Sequence, residues 1–350
     1  MRRVVQAVRR TAGFAQHTRT LSTNKDWTES AVKGRVAAEV SEDVTDYSEF
    51  HQPVGRLLKQ LPSKQDDIQQ YRLSTEQLRF YDNNGYVGGV PALSSQQCDM
   101  LLEELATLAD PSNPHPGHGL FHEYHANQTQ DPNNVLLHAL GHWRITPGFH
   151  DLIFLPSITV PASQLVVRHG SAPFSAVRFW HDQLFCKPAH HGGNVAWHQD
   201  YSYWTRTRPM QHLTVHVALE DQTADNGAIM YVPGSHHWTR DGAPLPITAD
   251  DFADMDSIQA VLTEDERRHW KPVHCCLKKG EAVFHHPLVV HGSYGNRSPR
   301  SRRAAVVNYF ADGTTANTDG PLMDGIPAVP RGQPCAGRFF PLVFDPRWCM

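Results

Sequence analysis

The chain has 350 residues, 40% hydrophobic and 19% charged, with a formal net charge of −4. This supplies a core for one large catalytic domain with appendages, or for two domains, and excludes wholesale disorder. No dominant basic face is visible, so no nucleic-acid partner is expected, and no apolar run approaches the ~18 residues of a membrane span. The six cysteines are scattered without a CxxC pair, which argues against a zinc site or a disulfide framework.

Residues 1–21 carry Arg2, Arg3, Arg9, Arg10 and Arg19, and the first acidic residue is Asp26. An Arg-rich, acid-free, amphipathic start reads as a mitochondrial transit peptide, with a cytoplasmic location as the alternative. Residues 22–70 are polar with little periodicity, a linker or an arm packed on the domain. A catalytic domain is expected over 71–350. Ser74 and Gln77 form a capping box for a helix that Asn84-Gly85 ends. A second helix starts at Leu93-Ser94, with Cys98, Leu101, Leu102, Leu105 and Leu108 at helical spacing. Residues 110–134 read as a long loop, and 147–168 as another helix.

From Val177 the texture changes to short β-branched and aromatic runs: 177–180, 213–219, 228–232, 282–284, 288–291 and 304–310. Asn226-Gly227 is a turn signal between two of them. So many short strands imply a sandwich or barrel, mainly β with flanking helices. An insertion near 249–270 looks helical.

Twenty-three histidines crowd this chain, mostly within 115–291. In Trp197-His198-Gln199-Asp200, residues i and i+2 of a strand share a face. His198 and Asp200 would then grip one cation, with His291 as the third ligand. Two His and one carboxylate form the facial triad of Fe(II) oxygenases. HxD alone is weak, and a half-buried structural histidine is the bland reading. The context is Gly292-Ser293, where Ser293 shares the parity of His291, then a polar turn and Arg302. Arg is the natural fork for a carboxylate, and a keto acid chelating the metal at one end needs such an anchor at the other. Arg297, Arg300 and Arg303 compete for that role, although strand parity opposes Arg302 to Arg303. Tyr201, Tyr203 and Trp204 line a substrate pocket or pack as core.

These residues resemble the phytanoyl-CoA dioxygenase family over roughly 73–346. The segments that carry the resemblance are 73–86, 137–143, 177–188, Trp197-His198-Gln199-Asp200, 226–236, His291-Gly292-Ser293 with Arg302 eleven residues beyond His291, and Gly337-Arg338-Phe339-Phe340-Pro341-Leu342. The resemblance implies a double-stranded β-helix (jelly-roll) with flanking helices. It implies His198, Asp200 and His291 as iron ligands, and Ser293 and Arg302 as 2-oxoglutarate contacts, with Gln183 where the family places another. His216 stands where the family often has Trp, which makes that wall of the cosubstrate pocket more polar. Lys187 is set aside as a cosubstrate lysine, because its Lys-Pro is itself a family feature of that strand.

The expected activity is an Fe(II)- and 2-oxoglutarate-dependent dioxygenase that uses O2, with ascorbate supportive. It would hydroxylate an unactivated C–H of a small molecule or acyl-CoA. A carboxylate at Asp200, instead of a small residue, favours hydroxylation over halogenation. Two alternatives stay open: a metal oxygenase on the same fold without 2-oxoglutarate, and a non-catalytic ligand-binding relative.

Overall fold

The strand His212–Ala218 alternates polar and apolar residues, yet every residue in it is buried. A strand like this needs apolar packing on one face and a polar interior on the other. The computed structural model, which describes residues 44–110, 112–167, 173–248 and 254–349, has this arrangement. All of these fall within one of the chain's two compact units, Val36–Met350. Residues 1–21, read as a transit peptide, lie outside the described residues, as does the first part of the arm.

In chain order the strands are β1 (Tyr86–Pro91), β2 (Glu123–His125), β3 (Leu137–Leu140), β4 (Val177–Lys187), β5 (Val195–His198), β6 (Thr207–Arg208), β7 (His212–Ala218), β8 (Met230–Tyr231), β9 (Val273–His274), β10 (Glu281–His285), β11 (His291–Ser293), β12 (Arg302–Ala311), β13 (Thr315–Ala316) and β14 (Leu342–Phe344). The large antiparallel sheet runs β1-β10-β7-β12-β4-β3-β2, with β14 also on β4. A smaller sheet runs β5-β11-β8-β9, and β13 pairs β6. Two mostly antiparallel sheets of this kind make the expected jelly-roll.

One face of the large sheet, with Leu213, Val215, Val217, Phe284, Ala305 and Val307, forms the main core with the helices. Register puts the opposite set in rows: Val306 pairs with Gln183 and His216, and Asn308 with His181 and Thr214. These polar rows form the inner face.

The helices are α1 (Gln65–Gln69), α2 (Thr75–Asn84), α3 (Ser95–Leu108), α4 (Pro147–Leu152), α5 (Pro156–Leu165) and α6 (Glu264–Arg268). The Ser74/Gln77 capping box forms on α2, and Gly85 closes it at φ +80°. Helix α3 buries Cys98, Leu101, Leu105 and Leu108. The single helix expected over 147–168 is two. Pro156 has no N–H to continue α4 and holds Leu155 extended at ψ 126°.

Other expectations change as well. Residues 288–290 precede the strand, which begins at His291. The loop 110–134 holds β2, which takes the sheet's edge. The 249–270 insertion has only a turn of 3-10 helix at Ser257–Val261 and the five-residue α6 among its described residues. Residues 44–70 lie against the domain. Asp46 accepts from Arg144 (2.5 Å) and Arg338 (2.6 Å), and Asp151 accepts from the backbone of Val54 and Leu57.

Asp182 turns to the helical side of β4 and anchors the chain after β3. It accepts from the N–H groups of Gly141 (2.6 Å) and Trp143 (2.7 Å), with His142 Nδ1 at 3.0 Å. Burial alone would raise its carboxyl pKa, but His142 and these donors hold it below the ordinary aspartate value of 3.8. A depressed folded value means that the stabilisation is present above 3.8 and lost as pH falls through the folded pKa. Asp182→Asn is expected to cost about 2–3 kcal/mol in denaturant unfolding at pH 7, and its stability should fall less steeply below pH 4 than the wild type's.

Candidate metal centre

Strands β5 and β11 are antiparallel neighbours in which His291 lies directly opposite His198. This pairing brings two imidazoles from distant parts of the chain to a ring-centroid separation of 4.2 Å. Asp200 joins them by a different route from the expected strand alternation. Strand β5 ends at His198, and Asp200 opens a 3-10 turn, Asp200–Ser202. The turn still aims the carboxylate inward: Oδ1 lies 3.4 Å from His198 Nε2 and 3.5 Å from His291 Nε2.

Each group is held by its other end. His198 Nδ1 donates to Ala196 O (2.8 Å) and His291 Nδ1 to Val289 O (3.0 Å), which leaves both Nε2 lone pairs facing Asp200. Asp200 Oδ2 accepts from Thr214 Oγ1 (2.6 Å) and His285 Nε2 (2.9 Å), and His285 Nδ1 accepts from Tyr231 Oη (2.8 Å). One ligand atom from each of His198, Asp200 and His291 lies within 4.8 Å of the others. Burial alone would raise the Asp200 pKa, but His291, His198 and His285 draw it well below the usual carboxylate range. Burial, followed by His198, pushes His291 well below 6.5, so that its ring stays neutral. Two imidazole nitrogens and one carboxylate oxygen are the donor set that suits a non-haem Fe(II).

The second cluster lies at the start of β12. Arg302 is 2% exposed, and its Nε and Nη2 donate to Gly227 O (3.2 and 2.6 Å). Among the described residues no carboxylate lies within 4.0 Å of it. Arg303 points the other way and pairs with Glu220, as parity requires. Arg297 and Arg300 are exposed. Directly across from Arg302 is Lys187. Its buried Nζ donates to Ser293 Oγ (2.7 Å), Ser293 O (3.3 Å) and Tyr294 O (2.6 Å). Burial, followed by the neighbouring Arg302, drives the Lys187 amine well below 10.5. Burial likewise lowers the Arg302 guanidinium to about 10. Two buried cationic groups with no protein anion between them make a receptor for an incoming carboxylate.

Gln183 accepts from Asn308 Nδ2 (3.4 Å) in the row that also carries His216. His216 faces inward with Nε2 on Gln222 Oε1 (2.9 Å), and burial lowers its pKa to about 3. Its polarity is therefore partly taken up by Gln222. Tyr201 and Trp204 pack with Trp180, Phe310 and Phe340 as core. Tyr203 instead lies beside His198, at a centroid distance of 5.6 Å.

Two residues escaped the sequence reading, His285 and Thr214, and a third, Lys187, was set aside there although the structure places it on Ser293 and across from Arg302. The signal was the polar set at alternate positions of β7 (His212, Thr214, His216) and the histidine that ends the apolar β10, and for Lys187 its shared parity with Gln183. If His285 orients the carboxylate, His285→Phe should weaken Co(II) or Fe(II) binding about 10–100-fold in anaerobic calorimetry. Unchanged affinity would remove that role.

With this geometry in view, relatives are informative. The family described as phytanoyl-CoA dioxygenase (PhyH) matches residues 81–304, well over half of the chain. A phytanoyl-CoA dioxygenase domain-containing protein 1 homolog of Caenorhabditis briggsae is 31% identical over 33% of this chain and 41% of its own length. The alignments thus span less than half of the first of these curated relatives. An L-proline trans-4-hydroxylase of Streptomyces griseoviridis is 27% identical over 52% of this chain and 73% of its own.

Among solved structures, SnoK, a non-heme alpha ketoglutarate dependent carbocyclase from nogalamycin biosynthesis, superposes with a TM-score of 0.62 at 23% identity. It covers 78% of this chain and 97% of its own. EctD from S. alaskensis superposes at 0.54 and 20% identity, covering 80% and 87%. At these identities the two structures show a shared fold. The match over 81–304 shows more: the chain belongs to the phytanoyl-CoA dioxygenase (PhyH) family.

Proposed function

We propose that the protein is an Fe(II)- and 2-oxoglutarate-dependent dioxygenase that hydroxylates an unactivated C–H bond of a small molecule or acyl-CoA, with release of succinate and CO2. Family members use Fe(II) and 2-oxoglutarate with O2. The observation that carries the reading is a buried guanidinium without a protein carboxylate, Arg302, on the same interior as two bare imidazole nitrogens and one carboxylate oxygen.

In this reading His198, Asp200 and His291 hold the iron. When bound, the metal supplies, with 2-oxoglutarate and O2, the oxidising chemistry that converts C–H to C–OH. The chain's own groups do the rest. Arg302 takes the far carboxylate of the keto diacid with its planar fork. Ser293 Oγ already accepts from Lys187, so its own proton is free to point at the same carboxylate. Lys187 adds positive potential and fixes the Ser293 hydroxyl. Thr214 and His285 keep Asp200 Oδ2 occupied, so Oδ1 is the oxygen left to face the metal. The buried surroundings exclude water and strengthen each of these interactions.

His198→Ala or Asp200→Ala should reduce succinate formation at least 100-fold in an assay with Fe(II), ascorbate and 2-oxoglutarate, and retained turnover would remove the assignment. Losing a charge-assisted bond of about 2–3 kcal/mol, Arg302→Ala should raise the KM for 2-oxoglutarate about 30–100-fold. Activity indifferent to that substitution would favour an oxygenase that does not use the keto acid.

The basic leader motivates a second proposal, that residues 1–21 direct mitochondrial import. Fused to a fluorescent protein, the first 30 residues should colocalise with a mitochondrial dye, and diffuse fluorescence would reject this.

A further inference from the structure

Much of the large sheet's inner face is not engaged by the metal centre. Asp200 bonds to Thr214 on β7 and His285 on β10, and the cosubstrate groups sit on β12, β4 and β11. Strands β3 and β2 extend the same surface beyond them. Register aligns His138 with Phe185 and His125, and Glu123 with Leu140. Phe185 has the strand parity of Gln183, so His138, His125 and Glu123 face the same interior as the cosubstrate residues. Ring contacts agree: His138 lies 4.8 Å from Phe185 and 6.2 Å from His125.

Two features of this strip point to a ligand. His138 is 5% exposed, and neither ring nitrogen has a partner among the described residues. Burial lowers its pKa to about 3, so it presents one donor and one acceptor, both unbonded. Glu123 accepts no hydrogen bond among the described residues, and His125 Nε2 is 3.9 Å away. Burial and then Asp324 push its carboxyl up to about 7, only partly opposed by Arg206. The Arg206 guanidinium is already committed to the carbonyls of Pro321 and Leu322. The neighbouring imidazoles are neutral, with His122 and His181 lowered to about 4 by burial. The strip therefore offers an uncompensated carboxylate and neutral polar groups.

We infer that this strip is the substrate-recognition wall, and that it selects a polar molecule whose protonated amine is taken by Glu123 while His138 bonds a hydroxyl, carbonyl or amide of the same molecule. The inference rests on the dioxygenase reading and narrows it. An acyl-CoA would bring phosphates towards Glu123, and an alkyl chain would leave the His138 nitrogens buried and unbonded. Glu123 lies three strands from β12, roughly 14 Å along the sheet before curvature. The amine thus belongs at the far end of the substrate from the reacting carbon.

The test measures substrate-dependent succinate release by the full-length protein. The panel contains linear polyamines and other long-chain amines, each paired with its N-acetyl derivative, and acyl-CoA thioesters. The expected result is stimulation by at least one free amine, with N-acetylation raising KM at least tenfold. Glu123→Gln should raise KM for that amine at least tenfold, change kcat far less, and leave the N-acetyl compound unaffected. Glu123→Asp should keep the preference for the free amine. Anaerobic calorimetry with the same pairs gives affinities independent of turnover. Stimulation only by acyl-CoA or neutral compounds, none by any amine, or an unchanged amine preference in Glu123→Gln would overturn the inference while succinate formation from 2-oxoglutarate still stood. A wild-type protein that makes no succinate at all would overturn the dioxygenase reading instead.

Discussion

The site depends on one cross-strand pairing, His291 of β11 opposite His198 of β5. Neither imidazole would be a useful metal ligand by itself. Opposed across an antiparallel pair, with each Nδ1 donating to a carbonyl two residues back in the chain, both present Nε2 to one point. Asp200 completes that point only because Thr214 and His285 on the facing sheet occupy its other oxygen. The small sheet thus supplies the ligands and the large sheet supplies their restraint. This division explains why the inner face of the large sheet is polar although it is buried.

Burial would be costly for such a polar interior if its groups were unpaired. Most are paired. Asp182 is saturated by backbone donors and His142, His216 by Gln222, and Tyr231 by His285. The groups that break the pattern are informative for that reason. Arg302 lacks an anion, His138 lacks partners on both nitrogens, and Glu123 lacks a donor. They lie on one inner face, with Arg302 at the start of β12 and the other two on the edge strands β3 and β2.

Positive charge is distributed in the same economical way. Lys187 and Arg302 sit across from each other on neighbouring strands, burial reduces the proton affinity of both, and Arg302 lowers that of Lys187 further. Ser293 links them to the metal strand, since it bonds Lys187 and follows His291 by two residues. Where the family often places Trp, His216 is neutral and tied to Gln222. The substitution therefore changes the shape and hydrogen bonding of that wall more than its charge.

Local chemistry made a good part of this legible in the sequence. The capping box at Ser74, the helix start at Ser94, the glycine that ends α2, the strand runs from Val177 onward and the inward parity of Arg302 against Arg303 all depend on neighbours within a few residues. The candidate cluster His198, Asp200 and His291 was legible too, since HxD and a distant His-Gly-Ser with an arginine beyond it form a specific pattern, and the structure brings the three together. Asp200 shows the boundary: it does lie beside the two histidines, but not by strand alternation, because a 3-10 turn held through Thr214 and His285 aims it. The break at Pro156 was readable from proline's missing N–H, but it was obscured by an apolar pattern that runs through it. His285 and Thr214 stayed hidden and Lys187 was set aside, because a buried polar residue on a strand looks the same whether it faces a cavity or a core. Sequence alone thus determined the mainly β fold class and picked out the residues that the structure gathers as candidate metal ligands. Only tertiary structure decided which polar residues hold Asp200, which cation accompanies Arg302 and which inner-face groups are left unpaired, since these follow from sheet register between strands far apart in the chain.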